Sequence, residues 1–218
     1  MKAVFVSIFP ELIESFFSVG VINKASKESI LDYDTVNPIK FLKKNERLDD
    51  ASYGGGPGML IRTKPLEEAI KEAKKLTSEN TKVINLSPQG KKLTQKKAKE
   101  LSFEKDLIFV CGRYEGIDQR LIDSVIDEEI SIGDYVVTGG ELPALIVFET
   151  IARNIKGVLG DSNSISEESF SDEFLEYPQY TRPEKNNLGD VPKVLLSGNH
   201  IKIKIWRKKQ SLGRTFLQ

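Results

Sequence analysis

Four short segments, residues 53–60, 86–90, 111–118 and 131–143, carry four, one, two and three of the chain's sixteen glycines. Glycine is used where backbone turns with positive φ or comes close to another group. The last three segments each lie at or just past an apolar run that reads as a strand, and loops meeting at strand ends make a ligand cleft. The dinucleotide fingerprint of three spaced glycines is missing, as is the phosphate loop ending in Gly-Lys-Ser/Thr, which points away from NAD and ATP. Taken singly, each segment also reads as a tight turn, residues 86–90 above all. A single cysteine, Cys111, leaves no internal disulfide. One histidine, His200, leaves the familiar zinc sites and histidine-activated nucleophiles without parts. The chemistry must use carboxylates, arginines, backbone groups and a bound cofactor.

The elements that would position these loops alternate along residues 1–160. Residues 4–8, 82–86 and 106–110 are short runs rich in β-branched and aromatic side chains, as expected of strands buried on both faces. A helix over 65–75 opens with Pro65 at its first position and repeats apolar residues at Leu66, Ala69, Ile70 and Ala73. Thr94 caps a second helix running through Leu101. A third, over 141–155, is apolar around most of its circumference, so it is buried in the monomer or pressed against another chain. The layout is an α/β sheet with helices on its faces.

The chain has 218 residues, 39% of them hydrophobic, enough for one domain of ordinary size and a small appendage. No apolar run approaches membrane-spanning length and the N-terminal residues do not read as a signal peptide, so the expectation is a cytoplasmic protein with no membrane partner. The net charge of zero argues against bulk charge as the means of binding nucleic acid. Residues 161–176 hold six acids and no base, whereas residues 201–218 hold six bases and no acid. The acidic, serine-rich stretch reads as a mobile linker. The basic tail reads either as a solvated helix face or as a surface for phosphates.

In order and spacing the four glycine segments closely resemble the bacterial tRNA (guanine-N1)-methyltransferase family, TrmD, among the knotted methyltransferases of the SPOUT class. Residues 7–10, Asp49 with Asp50, and residues 180–183, 196–198 and 206–211 extend the match over nearly the whole chain. The resemblance implies a SPOUT-type trefoil-knotted parallel sheet flanked by helices over 1–160, an acidic linker over 161–172, and a small basic, helical tRNA-binding domain over 173–218. It also implies an obligate homodimer that transfers a methyl group from S-adenosylmethionine to N1 of guanine 37 of tRNA, just 3′ of the anticodon. Composition and periodicity show none of this.

Carried over residue by residue, the resemblance places the cofactor on Leu86, Ser87, Pro88 and Gly90, then on Gly112, Tyr114, Glu115 and Gly116. The third loop adds Ser131, Ile132, Gly133, Asp134, Tyr135, Val136, Val137, Gly139, Gly140, Leu142 and Pro143. Leu86, Ile132, Val137 and Pro143 are suited to sandwich the base, and a branched side chain at Gly140 is expected to block the cofactor while sparing the fold. Substrate binding falls to Tyr53, Gly54, Gly55, Gly58, Ser169, Arg182 and Lys208. The catalytic arginine maps to Arg153, whose planar donors suit guanine O6; on its own it also reads as a dipole partner for the helix C-terminus. The general base maps to Glu168, where the family usually has aspartate, with Asp172 and Glu176 as neighbouring acids. The family implies magnesium, for which the sequence shows no ligand cluster outside the acidic linker. The chain ends sooner after residue 217 than is usual for the family, so a minimal C-terminal piece is expected. Two rivals stay open: a non-catalytic RNA-binding or cofactor-sensing module on the same fold, and a knotted methyltransferase with another RNA target.

Overall fold

The structure is a computed structural model that describes residues 1–160, 169–170 and 174–217. The chain forms two compact units, Met1–Gly160 and Asp161–Gln218. The first is built on five parallel strands, β1 (Lys2–Val6), β2 (Asp32–Val36), β5 (Lys82–Lys92), β6 (Asp106–Val110) and β7 (Glu128–Ser131), in the spatial order β2-β1-β6-β5-β7. A two-stranded antiparallel hairpin, β3 (Asp49–Asp50) with β4 (Leu60–Ile61), stands apart from this sheet. Glycine segment 53–60 therefore belongs to a hairpin tip.

Alternation along the strands divides the core between the two faces of the sheet. Ala3, Phe5, Ile84, Leu86, Leu107 and Phe109 face a cluster that takes in α1 (Pro10–Phe17), α2 (Gly20–Lys27), α4 (Gln95–Leu101) and α6 (Glu141–Ala152). Val4, Val6, Val83, Ile108 and Val110 face α3 (Thr63–Lys75) and α5 (Gln119–Val125). Every residue of β6 is buried, as its continuous apolar run requires. Phe5 stacks on Phe109 at 5.2 Å between ring centroids and meets Phe17 and Phe148 edge-on at 6.0 and 5.8 Å.

Several boundaries differ from the sequence reading. β1 begins at Lys2, and α3 begins at Thr63, which makes Pro65 its third residue; that is still within the first turn, where a missing N–H breaks no helical bond. The helix expected over 141–155 closes at Ala152. β2 escaped notice because it is an edge strand whose only fully buried residue is Val36. β5 does not end at Leu86. It continues to Lys92, with a register shift between Leu86 and Lys91, so residues 87–90 bulge from the ladder where Pro88 cannot donate. Thr94 caps α4 by accepting from Lys97 N at 3.1 Å.

The second unit holds a hairpin of β8 (Lys185–Asn186) and β9 (Gly189–Asp190), a short α7 (Lys193–Leu196) and the long α8 (His200–Phe216). Asn199 caps α8 by accepting from Lys202 N at 3.1 Å. Within this unit Arg207 lies 4.4 Å from the Tyr177 ring centroid, and the Leu175 N–H donates to Thr215 Oγ1 at 2.9 Å. The acidic stretch falls mostly on residues 161–168 and 171–173, outside the described residues.

Phe148 contacts all three of Phe5, Phe17 and Phe109, so Phe148→Ala is expected to cost about 3–5 kcal/mol of unfolding free energy. Urea unfolding followed by circular dichroism checks this, and a loss under about 1 kcal/mol would show that the cluster closes over the gap.

Candidate active site

A cavity of about 510 Å³ opens where the bulge of β5 and the loops after β6 and β7 converge. This is the carboxyl edge of three adjacent parallel strands, the usual position for ligands in open α/β sheets. Of the residues expected to hold a cofactor, Leu86, Ser87, Pro88, Gly112, Tyr114, Glu115, Gly116, Ser131, Ile132, Gly133, Tyr135, Val136, Val137, Gly139, Gly140 and Pro143 line it. Three do not. A Cβ on Gly90 would stand 2.5 Å from the Glu129 carbonyl carbon, so this glycine serves close packing of the bulge on β7. Asp134 pairs with Lys92, and the Leu142 side chain is exposed on α6.

Local chemistry shapes each wall. In the bulge, Ser87 Oγ accepts from Gln89 N at 3.1 Å, supplying a bond the ladder lacks there. After β6, Tyr114 is held in the left-handed region at φ 59° and Gly116 N donates to Arg113 O at 3.1 Å. After β7, Ser131 Oγ accepts from Gly133 N at 3.2 Å, and the Tyr135 hydroxyl donates to Ile132 O at 3.2 Å. The loops after β6 and β7 meet where Gly140 N donates to Gly112 O at 2.8 Å.

Gly140 thus has a structural reason of its own. A Cβ there would lie 2.8 Å from Cys111 Cα and Gly112 N, so a branched residue displaces backbone, contrary to the expectation that the fold would be spared. At Gly112 a Cβ would meet only Ile117 Cγ2, at an ordinary 3.7 Å.

The hairpin β3–β4 is stitched to the same loop. Glu115 N donates to Met59 O at 3.0 Å and Ile61 N to Gly116 O at 3.1 Å. Gly58, at φ +86°, leaves room for the Glu115 side chain, whose Cγ would be 2.3 Å from a Cβ placed there. Arg47 forks onto Asp49 at 3.1 and 3.0 Å and holds its carboxyl below the ordinary range. Tyr53 is 99% exposed at the tip, with Gly54 and Gly55 beside it in open space.

Arg153, the catalytic candidate in the first unit, does not line this cavity. It follows α6, its N–H donating to Glu149 O at 3.0 Å. Across the twelve residues of α6 it stands roughly 18 Å along the helix axis from the cavity wall at Gly140. Ser169 Oγ accepts from Glu176 N at 2.9 Å in the second unit. Arg182 and Lys208 are exposed there. Glu168 and Asp172 lie outside the described residues.

The cavity also takes in residues that the sequence reading passed over. Gln89, Arg113, Ile117 and Thr138 line it from inside the glycine segments themselves, where reading each segment whole would have found them. Asn85 was signalled by its polarity within an apolar strand. Its Nδ2 donates to Glu129 Oε1 at 2.8 Å, and its buried Oδ1 meets no donor among the described residues. Leu60 closes the segment 53–60, and Gln119 and Ile122 line the cavity from α5, outside the glycine segments. Among the described residues no group of three His, Cys, Asp or Glu side chains is placed to hold a metal ion, and no helix is long and apolar enough to cross a membrane.

Comparison with known proteins matches residues 1–218 to a family described as tRNA (Guanine-1)-methyltransferase TrmD. The chain is 53% identical over 212 residues to a tRNA (guanine-N(1)-)-methyltransferase of Pseudoalteromonas atlantica, covering 97% of this chain and 80% of that protein. It is 51% identical over 219 residues to one of Shewanella sediminis, covering 100% and 90%. A protein of the same name from Buchnera aphidicola is 51% identical over 215 residues, covering 98% and 86%.

Cys111 borders this region and is buried. Burial, with the Glu141 carboxylate adding to it, pushes its thiol well above the ordinary range, and a thiol is far less nucleophilic than a thiolate. In the folded protein at pH 8 a thiol reagent such as iodoacetamide is expected to leave Cys111 unmodified, and to label it readily in denaturant. Rapid labelling without denaturant, read by mass spectrometry, would contradict the burial of this side chain.

Proposed function

The chain belongs to the tRNA (guanine-N1)-methyltransferase family and is an enzyme of that class, and from that premise we propose how its residues divide the reaction. The observation that carries the reading is the cavity walled by three glycine-bearing loops, whose volume of about 510 Å³ suits a ligand of nucleoside size. The residues present fit S-adenosylmethionine. Leu86, Ile132, Val137 and Pro143 supply apolar faces for a flat base, and Gly112 leaves backbone bare beside it. Bound there, S-adenosylmethionine supplies a methyl group already activated as a sulfonium.

The protein's own work is then to orient guanine, remove the N1 proton and stabilise charge developing at O6. Glu168 is assigned the proton and Arg153 the O6 charge. Because Arg153 stands roughly 18 Å along α6 from its own cavity wall, it serves the site of a second copy, and the active unit is a homodimer with composite sites. Exposed Leu142 and Ile146 on α6, beside exposed Phe9 and Leu12 at the neighbouring α1, offer an apolar face for that association. The hairpin tip at Tyr53, Gly54, Gly55 and Gly58 seats the extruded guanine. Lys202, Lys204, Lys208 and Lys209, exposed on α8, meet the tRNA backbone, with Ser169 and Arg182 contributing from the same unit. No residue is assigned to magnesium.

The reading is tested by the product. Digestion of tRNA after incubation with labelled S-adenosylmethionine is expected to yield labelled 1-methylguanosine, and any other labelled nucleoside overturns it. Gly112→Val is expected to weaken S-adenosylmethionine binding by more than about tenfold with unchanged thermal unfolding; unchanged calorimetric affinity would remove the cavity from this role.

Glu168→Gln should retain cofactor binding and slow single-turnover methylation by about 10²–10⁴-fold. A parental rate in Glu168→Gln, with the loss appearing instead at Asp172 or Glu176, places the base elsewhere. Mixing Arg153→Ala with Glu168→Gln protein should restore activity through hybrid dimers if the two residues serve one site from different chains. No recovery after verified subunit exchange contradicts the composite site.

A further inference from the structure

Only two charged side chains line the cavity among the described residues, Arg113 and Glu115. S-Adenosylmethionine carries a sulfonium cation, so an arginine in its wall requires explanation. Glu141, the first residue of α6, supplies one. It is wholly buried and lies behind the wall, where its Oε2 accepts from Arg113 Nε at 2.8 Å. Its Oε1 accepts from the Ser7 hydroxyl at 2.8 Å, and Ser7 Oγ in turn accepts from Phe9 N at 3.0 Å. Arg113 is fixed further by the Phe9 ring, 4.5 Å from its Cζ, and runs so close to the last loop that a Cβ on Gly139 would be 2.2 Å from its Nε.

We infer that Glu141 is a specificity-determining residue: by neutralising Arg113 it lets the cavity accept a cationic ligand, leaving the wall with the net negative charge of Glu115. Glu141 acts through Arg113 and touches no reacting atom. The inference rests on the reading of this cavity as the S-adenosylmethionine site. It adds an electrostatic cause for preferring the sulfonium donor over the neutral thioether, S-adenosylhomocysteine, that remains after methyl transfer. Two ligands of nearly the same shape differ there by one positive charge, which bulk packing cannot distinguish and a fixed charge in the wall can.

The experiment is calorimetric titration of S-adenosylmethionine and S-adenosylhomocysteine into the full chain without tRNA. In Glu141→Gln the ratio of their affinities is expected to move toward the thioether by roughly fivefold to tenfold, since an uncompensated guanidinium then faces the cation. Arg113→Gln should move the ratio the opposite way, which keeps the inference testable if Glu141→Gln does not fold. The double variant Glu141→Gln/Arg113→Gln should return the ratio toward that of the parent, and a double variant displaced from the parent as far as Glu141→Gln alone contradicts the inference. Ser7→Ala, which keeps the ion pair, should leave the ratio unchanged. A constant ratio in both single variants overturns the inference. If the parent binds neither ligand, the reading of the cavity fails instead.

Discussion

A carboxylate with no exposure to water organises the functional end of the first unit. Glu141 is held by a hydroxyl from the residue after β1 and a guanidinium from the loop after β6, while its own backbone opens α6, whose N-terminus favours negative charge. Removing one partner from such a pair leaves a buried charge uncompensated, commonly at a cost of about 3–5 kcal/mol. The ends of β1 and β6, adjacent in the sheet, are therefore tied to the start of α6. The segment between β7 and α6 has to close over the cavity to meet that constraint. The bare backbone at Gly139 and Gly140 follows from it: one lies against Arg113 and the other against Cys111 and Gly112.

The opposite wall is made by a different device. β5 leaves its ladder at Leu86 and rejoins it at Lys91, so one strand supplies both a structural rung and a ligand-facing bulge. Between the two walls, the loop after β6 is bonded on one side to Gly140 and on the other to Met59 and Ile61 of the glycine hairpin. The cavity and the glycine hairpin thus share one hydrogen-bonded backbone segment, residues 112–117, while the tip at Tyr53 is itself fully exposed. In the proposed reaction the donor site and the base of the hairpin that carries the guanine seat are tied to one backbone segment.

α6 links the two ends of the proposed mechanism. Its first turn belongs to the cavity wall and Arg153 caps its far end, so a helix of this length cannot bring both to one site within a single chain. Most of the helix is buried against the Phe5, Phe17 and Phe109 cluster, while Leu142 and Ile146 remain on the outer face. Of the two alternatives left open by the sequence for this helix, burial within the chain accounts for most of its circumference, and Leu142 and Ile146 stay exposed.

The sequence by itself determined the fold class, the three central strands, the Thr94 cap and the set of loops that converge, because local periodicity and glycine placement report backbone demands directly. Its resemblance to the methyltransferase family fixed the reaction class. Tertiary structure decided what local patterns cannot encode. The bulge in β5 depends on pairing with β7, and the edge strand β2, with only Val36 fully buried, is a strand because β1 offers it hydrogen bonds. Arg113 is, in the sequence, one more polar residue in a glycine loop; its partner Glu141 lies 28 positions away, and the other partner of Glu141, Ser7, 134 positions from it. The distance of Arg153 from the cavity likewise appears only once α6 has a direction and a length. Charges that must find one another across the fold leave no periodic trace in the chain, so their pairing is settled only when the strands that carry them are brought side by side.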